Sequence, residues 1–379
     1  MWLIGTGFTD NPKDFEMSNH YLHYQVIFSG MVIVEIFFFI SGCLFTFYLQ
    51  MSSETKTLTW IDVPKILFYR WARLTPANAV VILFTASWLP RLGSGPLWSM
   101  VVGGVAHDCR QHWWKHLLYF NNYVPQDRFC EVQTWHIAAE MQLFTLGLIV
   151  YVATASAARG RYLALAALAA VGAVAPALHV WLHDLDALVI HRPEFYRTFD
   201  DDTYRLMHIF GHNNIFCHAL GMAVGLFSYY CIKNKIEYPN SKLLKYITWC
   251  VPLWIVGLFL SGSMFYVDGD RPHIALRMAY ATIHRPAIGV MTAILVLNLV
   301  LKFENGIRSV LEWRGWMVTS RLCYGVFLLH VNIIHVLTGA RTQLAHVSFF
   351  NLVIYHFGVF FLSFAASIPF YLLFEAPMT

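Results

Sequence analysis

Glu35, His136, Glu140, His284 and His330 are ionisable residues set in stretches that are otherwise apolar. A charge at the centre of a spanning helix costs about 2.5–3.5 kcal/mol on insertion scales, so such residues mark sites. His136 and Glu140 are four apart and share one helix face, where an imidazole and a carboxylate can exchange a proton. Arg70 and Arg73 are three apart in Phe68-Tyr69-Arg70-Trp71-Ala72-Arg73-Leu74-Thr75-Pro76. Two guanidiniums at that spacing could clamp a phosphate or an acidic headgroup. Plainer roles are also open: a basic membrane-edge anchor for the arginines, and hydrogen-bonded core positions for the histidines.

The elements that position these groups are apolar helices. Composition is 58% hydrophobic and 13% charged, against about 25% charged for a soluble domain. Mean hydropathy is +0.52. Apolar runs recur at about 25–50, 75–89, 134–155, 162–181, 209–231, 246–266, 281–301, 322–339 and 349–374. A span needs about 20 residues, which gives nine helices with the second marginal in length. The runs do not alternate, so a barrel is disfavoured. The expected fold is an all-α polytopic transmembrane bundle, read as a single domain over 1–379 with an outer stub at 1–24 and the bundle at 25–374. The net charge of +4 is spread over connecting loops; it speaks of topology and membrane lipids, not of a nucleic-acid partner.

Orientation follows from Lys and Arg. The short loops Met51–Arg73, Arg159–Arg161, Lys233–Lys245 and Lys302–Arg321 carry more than half of the chain's 26 basic residues, which places them in the cytosol. Met1–Tyr24, Arg91–Gln133, His183–His208, Val267–Tyr280 and Ala340–Ser348 then face the exterior or a lumen, and the carboxyl end lies inside. The setting is a plasma membrane or endomembrane. Cys109 and Cys130 share the long outer loop. In an oxidising compartment they are expected to bridge, closing a loop of about 20 residues for roughly 3 kcal/mol.

Within that loop, Cys109 to Pro125 reads as an amphipathic helix followed by an ordered turn, either an interfacial anchor or a re-entrant cover. The Ala-rich run 162–181 reads as close helix packing. Asp200-Asp201-Asp202 reads as a solvated face, and Lys233–Lys245 as a headgroup-binding edge. Met1–Thr9 reads as the apolar tail of a helix that is cut off, since so short a stub cannot cross a bilayer. Nothing at Met1 resembles a complete signal peptide.

Taken in order, these landmarks resemble the acyltransferase 3 family, and within it the animal nose resistant to fluoxetine branch. Phe37-Phe38-Phe39-Ile40-Ser41-Gly42 is similar to an FF-x-x-SG helix, and Arg70 to Pro76 to R-x-x-R-L-x-P. Leu92 to Trp98 resembles LGSGPLW, and Trp113 to Pro125 resembles WW…LLY-x-NN-x-VP. Trp135 to Gln142 is similar to W-x-x-x-x-[DE]-MQ. Ser320 to His330 is similar to SRL-x-Y-x-x-YL-x-H with Phe327 in place of the second Tyr, and Phe374-Glu375-Ala376-Pro377 to FEAP.

The resemblance implies transfer of an acyl group from a cytosolic acyl-CoA to an acceptor on the outer side. Acyl-CoA would be a co-substrate, and no resident cofactor is implied. Arg70 and Arg73 would hold its phosphates; Glu35, His136, Glu140, His284 and His330 would border the passage, with a His as general base. The catalytic His that the resemblance implies ends the first helix, and Gly7 stands about where it belongs. A lipid-binding or transport protein on the same fold is therefore the main alternative. A His-rich metalloenzyme is the remote one: the chain has 18 His, with i,i+4 pairs His112/His116, His179/His183 and His208/His212, but no adjacent pair.

Overall fold

The computed structural model describes residues 9–123, 130–190, 201–236, 242–265, 271–302 and 306–378, apart from residues 19, 29, 31 and 32. Two short helices, Pro12–Ser18 and Leu22–Phe28, precede the principal ones. These are α1 (Ile33–Ser53), α2 (Asp62–Ser87), α3 (Gly104–Leu117), α4 (Trp135–Ala153), α5 (Ala158–His183), α6 (Ile215–Lys233), α7 (Lys242–Ser261), α8 (Ile274–Val300), α9 (Trp316–Gly339) and α10 (Phe349–Phe370). Among the described residues there is no strand, only an isolated bridge between Thr9 and Ala345. Met1 to Phe8, including Gly7, lie outside the described residues.

Eight of these helices are long and apolar enough to cross a membrane. The ninth is α2, whose 26 residues suffice in length. Its first half carries Asp62, Lys65, Arg70 and Arg73, which lowers its hydropathy. Its start at Asp62 also shortens the expected cytosolic loop 51–73 to a link of a few residues.

The bundle is organised by one close approach. A Cβ on Gly42 of α1 would lie 2.3 Å from the carbonyl oxygen of His218 on α6. Reciprocally, Cβ atoms on Gly221 and Gly225 would lie 2.1 Å from Phe39 O and 2.2 Å from Cys43 O. The two backbones therefore touch through a Gly-x-x-x-Gly face, the means by which membrane helices pack when no hydrophobic force separates protein from lipid. Thr46 Oγ1 adds a bond to Met222 O at 2.9 Å across the seam.

The outer loop does not lie flat as an anchor. Arg110 Nε on α3 donates to Ala86 O at 2.7 Å, while Trp71 Nε1 donates to Leu117 O at 3.0 Å. Fifteen residues of α2 separate those two levels, about 22 Å at 1.5 Å per residue. So α3 runs down beside α2 and brings its tip to the level of Arg70. The descent is pinned at its upper part by a disulfide between Cys109 and Cys130.

Contacts at the two ends of the bundle respect the alternation expected from charge. At one end Asp10 N donates to Ala345 O at 3.1 Å, and Arg271 bonds Asp184 at 2.8 Å and Asp186 at 2.6 Å. At the other, Lys233 pairs with Glu54, and Arg161 Nη1 donates to Gln50 at 3.2 Å. The acidic run is not simply a solvated face: Asp201 is buried and accepts from Thr203 N at 2.8 Å, while Asp202 pairs with Arg205.

Candidate functional site

The site grows from α1. Glu35, in its first turn, is buried, and its Oε1 lies 3.0 Å from Nη1 of Arg285 on α8. Arg285 also donates to Asn214 Oδ1 at 2.7 Å, Met207 O at 2.9 Å and Asn213 O at 3.2 Å. A buried ion pair is tolerable only when its remaining donors are spent in this way. His284, the neighbour singled out for chemistry, does not join this centre. It turns to α7, donating from Nε2 to Leu258 O at 3.2 Å and stacking on Tyr280 at 4.7 Å.

Two turns further along α1, Ser41 donates to Glu140 Oε1 on α4, which also receives Arg70 Nη2 from α2 at 2.5 Å. The guanidinium carbon of Arg70 lies 4.0 Å from the centre of the Phe144 ring, a cation–π contact. Arg70 and Arg73 therefore do not act as a free pair. Arg70 is turned inward and its charge is balanced by Glu140, whereas Arg73 is exposed.

Three histidines line the space between these two ion pairs. His136 stacks on Phe38 at 4.6 Å with Phe327 at 5.6 Å, and its Nε2 is buried with no hydrogen-bond partner. His208 packs edge-on against Trp135 at 4.7 Å; burial, helped by nearby Arg285 and His136, holds its imidazole neutral. His218 is buried on α6, its ring 6.5 Å from that of Phe45. His330 donates from Nδ1 to Phe327 O of its own helix at 2.7 Å. Of the residues at this centre, His218 was not marked by sequence reasoning, and His208 was weighed only in a metal-type pair with His212. Arg285 was visible in His284-Arg285-Pro286, but choosing between neighbours needs the rotation of α8.

The tip of the descending loop closes the same region. Tyr119 has φ 59°, a left-handed cap just beyond α3 that is ordinarily a glycine position. The side chain explains the exception: its hydroxyl shares a 2.9 Å hydrogen bond with Thr75, and its carbonyl accepts Gln142 Nε2 at 2.9 Å. Asn122 and Gln142 exchange bonds of 3.1 and 2.7 Å. Above the tip, buried Glu131 accepts from Thr85 and, at 2.8 Å, from Gln133. Burial raises the Glu131 carboxyl to about 7 despite those bonds.

Members of the i,i+4 histidine pairs meet partners on other elements. His116 shares a 2.6 Å bond with Thr134, and His179 meets His212 across elements at 2.7 Å rather than converging with His183. Among the described residues no group of three His, Cys, Asp or Glu is placed to hold a metal ion.

An all-helical bundle with buried ion pairs, an unspent imidazole and a descending outer loop defines a polytopic membrane protein with a polar interior. The chain belongs to the acyltransferase 3 family, whose profile, described as an acyltransferase domain, matches residues 3–372. It is 23% identical over 418 residues to Nose resistant to fluoxetine protein 6 of Caenorhabditis elegans, covering 100% of this chain and 48% of that protein. The chain thus spans about half the length of that curated relative. No solved structure matches it.

Proposed function

We propose that this protein transfers an acyl group from a cytosolic acyl-CoA-type donor to a hydroxyl-bearing acceptor at the outer or lumenal side. The observation that carries the reading is the unpartnered, buried Nε2 of His136 one turn from the Arg70–Glu140 pair. In its Nδ1–H tautomer His136 takes the acceptor's hydroxyl proton at Nε2 as the oxygen attacks the thioester carbonyl. The C–S bond then breaks, and the proton passes to the departing thiolate. Arg70 and Glu140 set the polarity around the reacting groups. Arg73, exposed and with no carboxylate partner among the described residues, is the arginine suited to a donor phosphate. Membrane lipids surround the chain and supply the acceptor class most accessible to a site at this depth.

The test is single-turnover transfer from labelled palmitoyl-CoA to membrane lipids by the purified chain in nanodiscs. Turnover that falls at least a hundredfold in His136→Asn supports the reading. Turnover unchanged in that variant removes His136 as the base. The second reading is a lipid-binding or transport protein, favoured by Gly7 at about the position where the resemblance implies a catalytic His. Specific lipid binding without any turnover would select it.

A further inference from the structure

Arg–carboxylate pairs are commonly bidentate, two parallel N–H···O bonds between the fork of one and the two oxygens of the other. The pair at the centre of this site is not. Arg70 uses Nη2, and Glu140 uses Oε1 for both Arg70 and Ser41. Among the described residues Arg70 Nε and Glu140 Oε2 are left buried and without any hydrogen-bond partner. Leaving one such atom unmade costs about 1–3 kcal/mol, and more when it is charged. The pair therefore carries an unspent donor and an unspent acceptor.

We infer that the Arg70–Glu140 pair is a subsite for a neutral alcohol hydroxyl, whose oxygen accepts from Arg70 Nε while its hydrogen is donated to Glu140 Oε2. Charge decides against an anion. The positive charge of Arg70 is already balanced by Glu140, and a phosphate placed here would face the carboxylate at close range in a setting where like charges repel strongly. Geometry decides against a secondary amide, whose N–H and C=O point in opposite directions across a trans peptide-like bond and cannot both meet one side of an ion pair. A hydroxyl combines both roles on one atom. The surroundings, Phe144 against the guanidinium and Phe38 beside His136, suit a hydroxyl attached to a hydrophobic molecule. This inference rests on the acyl-transfer reading for its substrate. The hydroxyl has two sources there, an acceptor lipid alcohol or the alcohol of the donor's pantetheine arm.

The experiment measures binding to the full chain in nanodiscs of two matched pairs: hexadecan-1-ol against 1-methoxyhexadecane, and palmitoyl-pantetheine against its O-methyl ether. A methyl ether accepts a hydrogen bond but donates none. The alcohol of at least one pair should bind about tenfold more tightly than its ether. Glu140→Gln should abolish that preference, because it keeps Oε1 and puts an N–H where the free oxygen was. Arg70→Lys keeps the ion pair but has no Nε, and should weaken alcohol binding about tenfold. It carries the test if the first variant does not fold. Preference in the hexadecanol pair identifies the acceptor, and in the pantetheine pair the donor. Equal binding within both pairs, or a preference that survives Glu140→Gln, overturns the inference and leaves these atoms to a fixed water. If the preference holds but palmitoyl-CoA gives no turnover, the transfer reading falls while the alcohol subsite stands.

Discussion

Glu35 on α1 and Arg285 on α8 form an ion pair at 3.0 Å with side chains only 4% and 10% exposed. The pair ties the start of α1 to the middle of α8, and through Asn213, Asn214 and Met207 it also holds the segment that leads into α6. Three elements around the site therefore share one guanidinium.

Removing one partner should cost far more than removing both. Arg285→Ala strands a buried carboxylate, with an expected loss of about 3–5 kcal/mol. Adding Glu35→Gln to that variant should recover part of the loss. Thermal unfolding of the unmodified chain, both single variants and the double variant in one detergent checks this; strictly additive losses would show that the pair is not coupled.

Substitution at the helix seam should be severe because the neighbours are backbone atoms that cannot step aside. Gly221→Leu should prevent α1 and α6 from meeting, since even a Cβ lies 2.1 Å from Phe39 O. Gly257, with nothing within 4 Å of an added Cβ, should accept the same change with an effect within about 0.5 kcal/mol. Monodispersity and melting temperature after purification separate the two. Equal behaviour would refute the seam.

The pH dependence of stability should carry the mark of Glu131. Its folded pKa of about 7 exceeds the ordinary carboxyl value of 4.5, so the folded chain binds more protons than the unfolded one between those values. Stability from this group therefore falls as pH rises from about 4.5 to about 7 and stays reduced above that. Glu131→Gln, neutral throughout, should flatten the melting temperature over that window and gain relative to the unmodified chain at pH 8. A slope unchanged by the substitution would assign it to other groups.

Topology is open to a direct check. Thiols placed at Ser94 and Lys235, both exposed, should react with an impermeant reagent from opposite sides of the membrane. Reaction from one side only would overturn the orientation drawn from basic residues.

Membrane class, helix count and family were readable in the sequence because each depends on what a residue is, not on what it meets. Apolar runs must be helices in lipid, and the ordered motifs from Phe37 to Pro377 survive as letters whatever the packing. The sequence also marked Glu35, His136 and Glu140 as costly inside those runs, and all three lie at the polar interior. Tertiary structure alone decided how they are paired. Arg285 rather than His284 meets Glu35, because adjacent residues point about 100° apart and the rotation of α8 selects one. Likewise α3 descends beside α2 instead of resting at the interface, because Arg110, Leu117 and Tyr119 find partners along α2 that lie 24, 46 and 44 residues away in the chain. The spare atoms of Arg70 and Glu140 exist only in that packed arrangement, where Glu140 Oε1 is shared by Ser41 and Arg70.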